Sequence, residues 1–394
     1  MSTDHLHPLS KAIRIRAAKT LQQEHSTPLY LTSSFTFDEA EAMRAAFADE
    51  TEANIYSRFS NPTVDEFIAK MCALENADAG FATSSGMSAV FSSMFALLQQ
   101  GDHLICCSSV FGSTFTVVTK YLPKYGITCT LVPANDNAAW EAAVQPNTKM
   151  VYLETPTNPQ LEILDLEWVG QFCKKHNLIF NVDNCFATPL LQRPTDFGAD
   201  LVVHSATKWI DGQGRVMGGV IVGREDLIKE IYLFCRNTGP SLSPFNAWVL
   251  SKSLETLDVR MQRHCENALQ VAEALQSHPQ VSWVKYPFLP SHPQYEIAKK
   301  QMAAGGGVLC FEIKGGLDAG RKFLDNLEML SVTANLGDSR SIASHPASTT
   351  HSKLTDDQRA AVGITPGLIR ISTGLEKVDD IIADISQALE KSAL

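Results

Sequence analysis

From about residue 64, short apolar runs and helical periods alternate along the chain. Apolar side chains at three- and four-residue steps predict a helix over 64–75. A short strand follows at 80–83, a helix at 86–98, and a strand at 102–107 leading into a helix that ends near residue 125. The runs 150–154, Ile179–Asp183 and Leu201–His204 each end in a polar residue, and helical patterns, 168–175 among them, precede or separate most of them. Strands that alternate with helices in this way predict an α/β fold with a mainly parallel sheet covered on both faces.

The texture differs at the two ends. Residues 1–60 are rich in turn-forming and polar side chains and lack a sustained apolar period, so they read as an N-terminal arm. Near residue 240 the alternation stops. Leu254, Leu257, Met261, Cys265, Ala268, Val271 and Leu275 then predict one long amphipathic helix, which Ser277-His278-Pro279 ends. Strands at Val308–Ile313 and Leu368–Ser372, a helix over 319–330 and a terminal helix over 378–389 complete a smaller α+β unit. The expected organisation is an arm at 1–60, a large domain at 61–257 and a small C-terminal domain at 258–394.

Composition narrows the class. A chain of 394 residues that is 44% hydrophobic and 19% charged can bury two cores. A net charge of −10 with no basic run argues against nucleic acid or an anionic membrane as partner. No run reaches the length of a membrane span, and the N-terminal stretch lacks the apolar core of a signal peptide, so a soluble, cytoplasmic protein is expected. The nine cysteines are scattered without a C-x-x-C, which suggests neither a disulfide framework nor a zinc site. His204, His345 and His351 have no i, i+4 partner of the zinc kind either, so no metal is expected and packing or hydrogen-bonding roles are.

In open parallel sheets ligands sit beyond the carboxyl ends of the strands, so the residues after each predicted strand carry the chemistry. After 80–83 comes Ser84-Ser85-Gly86-Met87-Ser88, a small-residue turn that opens a helix. It could bind a phosphate through free N–H groups, or serve as a plain cap. After 150–154, two prolines stiffen a turn that holds Asn158, as a ligand contact or as part of a rigid loop. Asp183 ends an apolar strand, where a carboxylate needs a cation or several donors; a helix cap or a structural ion pair would also account for it. Leu201–His204 leads into Ser205-Ala206-Thr207-Lys208. A lysine at a buried strand end is costly unless its pKa is lowered or it is used covalently. A snorkelling lysine would leave Ser205, Thr207 and Asp183 unexplained together.

The combination is what pyridoxal 5'-phosphate (PLP) requires: a phosphate cradle, a carboxylate for the ring nitrogen, and a lysine that links to the cofactor and then moves protons. With it comes a resemblance over nearly the whole chain, from Thr32-Ser33-Ser34-Phe35 to Gly374-Leu375-Glu376. The matching stretches are Tyr56-Ser57-Arg58-Phe59-Ser60-Asn61-Pro62-Thr63, Ser85-Gly86-Met87-Ser88-Ala89, Glu154-Thr155-Pro156-Thr157-Asn158-Pro159, Val182-Asp183-Asn184, His204-Ser205-Ala206-Thr207-Lys208, His345-Pro346-Ala347 and Arg370-Ile371-Ser372. They resemble the cystathionine γ-synthase-like, Cys/Met-metabolism family of PLP enzymes.

That resemblance implies PLP fold type I, aspartate-aminotransferase-like, and a homotetramer built as a dimer of dimers with shared sites. It implies that Tyr56 and Arg58 reach the phosphate of a neighbouring subunit. Ser85, Gly86, Met87, Ser205 and Thr207 would hold the phosphate within the chain, Asn158 would sit near the phenolic oxygen, and Arg370 would clamp the substrate α-carboxylate. Two positions depart from the family pattern. Phe111 stands where Tyr is usual, keeping ring stacking but losing a hydroxyl, whose proton-transfer role is then absent or moves to Tyr56. Asn335 stands where Ser is frequent and can still donate to a carboxylate. With 208–215, these features are most similar to the O-succinylhomoserine sulfhydrylase branch. The implied reaction is γ-replacement on a small amino-acid ester with sulfide, with cystathionine synthesis, acetyl-ester use and γ-lyase activity as alternatives, and a non-catalytic PLP-binding protein as the rival outside enzymes.

Overall fold

Seven strands form the larger of two sheets in the computed structural model, which describes residues 5–349, 352, 355, 359 and 363–393. They are β1 (Ala79–Thr83), β2 (His103–Cys107), β3 (Thr128–Val132), β4 (Thr148–Glu154), β5 (Ile179–Asp183), β6 (Leu201–His204) and β7 (Gly219–Gly223). Their spatial order is β1-β7-β6-β5-β4-β2-β3. All neighbours are parallel except β7, which runs antiparallel to both β1 and β6. The central strands are buried almost throughout, as expected of a parallel sheet with both faces covered.

The covering helices start where the sequence supplies caps. Asn61 accepts from Thr63 N–H ahead of Pro62 to begin the helix Pro62–Glu75. Asp165 accepts from Trp168 N–H, and Lys174, Lys175 and His176 fill the last turn of Leu166–His176.

The second sheet contains β8 (Val281–Lys285), β9 (Val308–Ile313), β10 (Ser331–Val332), β11 (Ile342–Ser344) and β12 (Leu368–Ser372), in the order β10-β11-β12-β9-β8. Its apolar cluster packs Ile369 and Ile371 of β12 with Leu309, Phe311, Val271 and Ile385. Successive strand residues face opposite sides, so Arg370 between those two isoleucines points away from that cluster.

Some elements differ from the pattern-based expectation. The long helix expected over 254–275 is two helices, Pro244–Leu254 and Leu257–Gln276. The break is invisible in the apolar spacing because Leu254 and Leu257 are both buried on either side of it, while the carbonyl of Ser253 accepts from Thr256 N–H at 3.2 Å and from Arg260 at 2.9 Å. The helix expected over 319–330 is Gly316–Asp325. The arm holds two short helices, Pro8–Arg14 and Ala40–Phe47. Among the described residues, no helix is long and apolar enough to cross a membrane.

Candidate active site

The helix Gly86–Phe95 begins at the end of β1. Ser85 caps it, its Oγ accepting from Ser88 N–H at 3.1 Å. That oxygen caps the helix while its own proton stays free to donate, and the N–H groups of Gly86 and Met87, at the first two helical positions, are the backbone donors left for an anion. A Cβ at Gly86 would fall 2.5 Å from Ser205 Cβ, so only glycine lets the two turns close into one cradle. Thr207 Oγ1 accepts from Gly218 N–H at 3.1 Å and donates to Gly218 O at 3.3 Å, which fixes the hydroxyl beside this turn.

Lys208 follows directly. Its half-buried ammonium donates to Asn335 Oδ1 at 2.5 Å. Burial, with Arg370 adding to it and Cys185 opposing, pulls the ammonium below the ordinary lysine value. The next residue, Trp209, is buried and meets His264 edge-on at 4.7 Å between ring centroids. Gly307 packs so closely on that indole that a Cβ would lie 2.4 Å from it, and this contact seats the lysine turn against the second sheet.

Asp183 ends β5 and is buried. Its Oδ1 accepts from Cys185 N–H at 3.0 Å and its Oδ2 from the Tyr152 hydroxyl at 3.3 Å. Burial raises its carboxyl above the usual range; the Cys185 N–H, the field of His204 and the Tyr152 hydroxyl pull it back. Glu154, at the adjacent end of β4, is also buried, and desolvation first and Asp183 second push it well up. Two carboxyls crowd one dry spot, an arrangement suited to a cationic ring nitrogen.

Arg370 is 6% exposed, and burial draws its guanidinium down to about 10. Nη1 donates to Asn158 Oδ1 at 3.1 Å, and Nη2 donates to the carbonyls of Asn335 and Ala334 at 2.9 and 3.2 Å. Its Nε is buried without a partner, an open donor for an incoming carboxylate. Phe111 has its backbone N–H on Glu154 Oε2 at 2.8 Å and is 44% exposed as a residue.

Lys208, Asn335, Arg370 and Asn158 thus form one connected set, with Phe111 tied to it through Glu154. Tyr56 and Arg58 lie apart. Arg58 packs over the Tyr56 and Phe59 rings and donates to the carbonyl of Arg236. Among the described residues, no hydrogen bond or ring contact joins either to the cradle or to Lys208 within one chain.

The pattern of strand ends assigned no role to Glu154, although a buried acid closing an apolar run is the signal that marked Asp183. Its Oε1 accepts from Asn158 N–H at 3.1 Å, so one side chain holds both Phe111 and Asn158. His204 and His345 make hydrogen bonds to Glu75, Ser348 and Pro366; His351 lies outside the described residues. No group of three or more metal-ligating side chains occurs among the described residues. All nine cysteines are free thiols.

A sheet of this order, with an amine, an anion cradle and a carboxylate at its strand ends, defines a PLP-dependent enzyme of fold type I. The chain belongs to the family described as Cys/Met metabolism PLP-dependent enzymes, whose model matches residues 10–390. An O-succinylhomoserine sulfhydrylase of Pseudomonas aeruginosa is 46% identical over 96% of this chain and 94% of its own. An L-methionine gamma-lyase of Porphyromonas gingivalis is 45% identical over 93% and 92%. A crystal structure of a putative O-acetylhomoserine (thiol)-lyase from Campylobacter jejuni, which carries a pyridoxyl-lysine phosphate, superposes with a TM-score of 0.93 at 34% identity, covering 98% of this chain and all of that one. The cofactor is pyridoxal 5'-phosphate, and the Gly86–Ser205 closure, the open Arg370 Nε and the paired acids fit it and its amino-acid substrate.

Proposed function

We propose that this enzyme catalyses γ-replacement on O-succinyl-L-homoserine with sulfide, giving L-homocysteine and succinate. The observation that carries the choice is Phe111. It is tied to Glu154 through its backbone and partly exposed, and its side chain has no proton to give. A carboxylate such as succinate leaves readily as an anion, with a conjugate acid near 4, whereas an alkyl thiol near 8.5 or above needs a proton as it departs. A site without an acid at this position favours an acyl ester over methionine. The relatives include O-succinylhomoserine sulfhydrylases and L-methionine gamma-lyases at nearly equal identity, so the choice rests on Phe111.

In this reading the N–H groups of Gly86 and Met87, with Ser85, Ser205 and Thr207 beside them, hold the cofactor phosphate. Tyr56 and Arg58 complete that grip from a second copy of the chain. Asp183 faces the ring nitrogen, Asn158 lies by the phenolic oxygen, and Phe111 covers the ring and excludes water. When bound, the cofactor supplies a covalent link to the substrate nitrogen and a sink for the electrons left at Cα. Arg370 Nε and the amide of Asn335 hold the α-carboxylate, which sets the Cα–H bond toward Lys208. Free Lys208 removes the α-proton, carries a proton at Cβ, and returns both after exchange at Cγ. There the bond to the ester oxygen breaks and the bond to sulfur forms. Tyr56 is the remaining hydroxyl for any further proton transfer. The phosphate grip needs two chains, so a dimer is the smallest unit with a complete site; the full assembly in this reading is a homotetramer, a dimer of dimers, in the cytoplasm.

Steady-state assays of the purified holoenzyme test this. Homocysteine and succinate should form from O-succinyl-L-homoserine and sulfide faster than 2-oxobutanoate and ammonia form from L-methionine. Faster release from methionine would move the enzyme to the γ-lyases, a reading that the Porphyromonas relative makes concrete.

A further inference from the structure

The turn that carries Lys208 is closed by its own backbone: Lys208 N–H donates to Ser205 O at 3.1 Å, Asp211 N–H to Ala206 O at 2.9 Å and Gly212 N–H to Lys208 O at 2.8 Å. The turn ends there, and the carbonyls of Trp209 and Ile210, both buried residues, are left without a backbone donor. Buried carbonyls need partners, and here one side chain supplies both. Arg260, on the first turn of the helix Leu257–Gln276, donates from Nη1 to Trp209 O at 2.7 Å and from Nη2 to Ile210 O at 3.2 Å and Ser253 O at 2.9 Å. Among the described residues, no other donor reaches the carbonyls of Trp209 or Ile210.

Arg260 is itself buried, and a buried guanidinium ordinarily takes a carboxylate. The carboxylate at hand, Asp211, is engaged by Arg215, accepting from its backbone N–H at 2.7 Å and its Nε at 3.0 Å. Arg260 binds main-chain oxygens instead, and its planar fork holds the two carbonyls of the lysine turn at once. Gly212 is fitted to the same contact: its φ is +69°, and a Cβ there would run into Arg260 Nη1. The bond to Ser253 serves the helix break, where Thr256 N–H binds that carbonyl as well. The two bonds to the lysine turn have no such second donor, and the reaction described above does not use Arg260.

We propose that Arg260 is a positioning residue for Lys208: its fork fixes two of the peptide groups just after the lysine, so that the amine meets the cofactor aldehyde and then the substrate from a rigid base. This role rests on the assignment of Lys208 as the residue that links to the cofactor. A lysine stem is flexible, and while Asn335 holds the tip of this one, the turn sets where the stem begins. Displacement of a reacting group by on the order of 1 Å costs about a hundredfold in the step it serves. Linking releases one water as the lysine nitrogen becomes doubly bonded to the aldehyde carbon, so the equilibrium of that step reports how well the amine is placed.

The test compares two ligands on full-length apoenzyme, PLP and pyridoxamine 5'-phosphate, each titrated by quenching of tryptophan fluorescence. They share the phosphate, ring nitrogen and phenolic oxygen, but the amine form cannot link to a lysine. Wild type should prefer PLP. Arg260→Met keeps a long side chain without the fork and should narrow that preference about tenfold or more, with affinity for pyridoxamine 5'-phosphate unchanged. Arg260→Lys, whose ammonium has no fork to span both carbonyls, should narrow it less. Unchanged binding of pyridoxamine 5'-phosphate also shows that a variant is folded. A preference equal to that of wild type in folded variants overturns the proposal. So does equal weakening of both ligands, which is what a merely structural arginine would give. If neither variant folds well enough to bind either ligand, the arginine belongs to the general fold and the proposal fails as well. A wild type with no preference at all would remove the Lys208 assignment beneath it, a failure visible before any substitution is made.

Discussion

Lys208 Nζ donates to the side-chain oxygen of Asn335 at 2.5 Å, while the main-chain oxygen of the same Asn335 accepts from Arg370 Nη2 at 2.9 Å. One residue therefore spans the distance between the proposed proton carrier and the proposed carboxylate clamp. An amide oxygen stabilises an ammonium less than a carboxylate does, so Asn335 holds the amine in place without fixing a proton on it.

That relationship predicts a pH effect. Burial lowers the Lys208 value from 10.5, so the amine loses its proton, and becomes reactive, at lower pH than a free lysine does. In apoenzyme, competitive acylation read by peptide mass spectrometry should show Lys208 labelled at correspondingly lower pH. Asn335→Asp places an anion against the ammonium and should move the labelling curve upward by about one pH unit or more. An unshifted curve would mean that the contact does not bear on the proton.

Arg370 supplies the second prediction. Its Nη groups are committed to Asn158, Asn335 and Ala334, and the unpartnered Nε completes the fork. Arg370→Lys keeps a charge but can neither hold those partners nor offer a bidentate edge. KM for the amino-acid substrate should rise about tenfold or more, the worth of one charge-assisted hydrogen bond, with cofactor absorbance little changed. Loss of the cofactor with unaltered KM in the remaining holoenzyme would contradict the role.

The position of Tyr56 and Arg58 leads to the third. Tyr56 is 40% exposed, and Arg58 stacks on rings of the arm and on nothing in the cradle. Arg58→Ala and Lys208→Ala homodimers should each be nearly inactive. A mixed dimer would hold one site with both residues intact and should regain part of the activity. Verified hybrids that stay inactive would place the two residues outside the site.

The strand ends were legible from sequence because an apolar run that stops at Asp183, or just before Ser205 and Lys208, marks both the burial and the edge of the sheet. Glu154 ended such a run as well, but its partners are backbone N–H groups of Phe111 and Asn158, which no side-chain pattern displays. The pairing of Glu75 with His204 joins residues 129 apart, beyond any local period. Strand β7 was missed because its sequence, Gly-Val-Ile-Val-Gly, is short and bounded by glycines, and β3 because its half-exposed Thr-Cys-Thr-Leu-Val has little apolar contrast. Arg215 pairs with Asp211, which is buried inside the same turn.

Arg215 bears directly on the fourth prediction, which concerns the nucleophile. Cysteine would bring a second α-carboxylate and an ammonium into the pocket, and both need partners once desolvated. Sulfide needs only open space beside Cγ. The nearby cations named here are already engaged: Arg215 Nε is 3.0 Å from Asp211 Oδ1, with Nη2 on Asp211 O and Ser253 Oγ. Arg340 is paired with Asp338 at 2.9 Å, and Lys208 with Asn335. Arg370 has a single open edge, which the substrate's own carboxylate takes. Phe111 offers no hydroxyl to a second amino acid. With O-succinyl-L-homoserine as donor, kcat/KM should therefore be higher for sulfide than for cysteine. Both nucleophiles at equal concentration in one reaction, with homocysteine and cystathionine quantified by mass spectrometry, give the comparison directly. Arg215→Ala should leave the product ratio unchanged if that guanidinium is bound up as described. A clear excess of cystathionine from the wild-type enzyme would mean that the pocket does hold a partner for the second carboxylate, and the enzyme would then be a synthase.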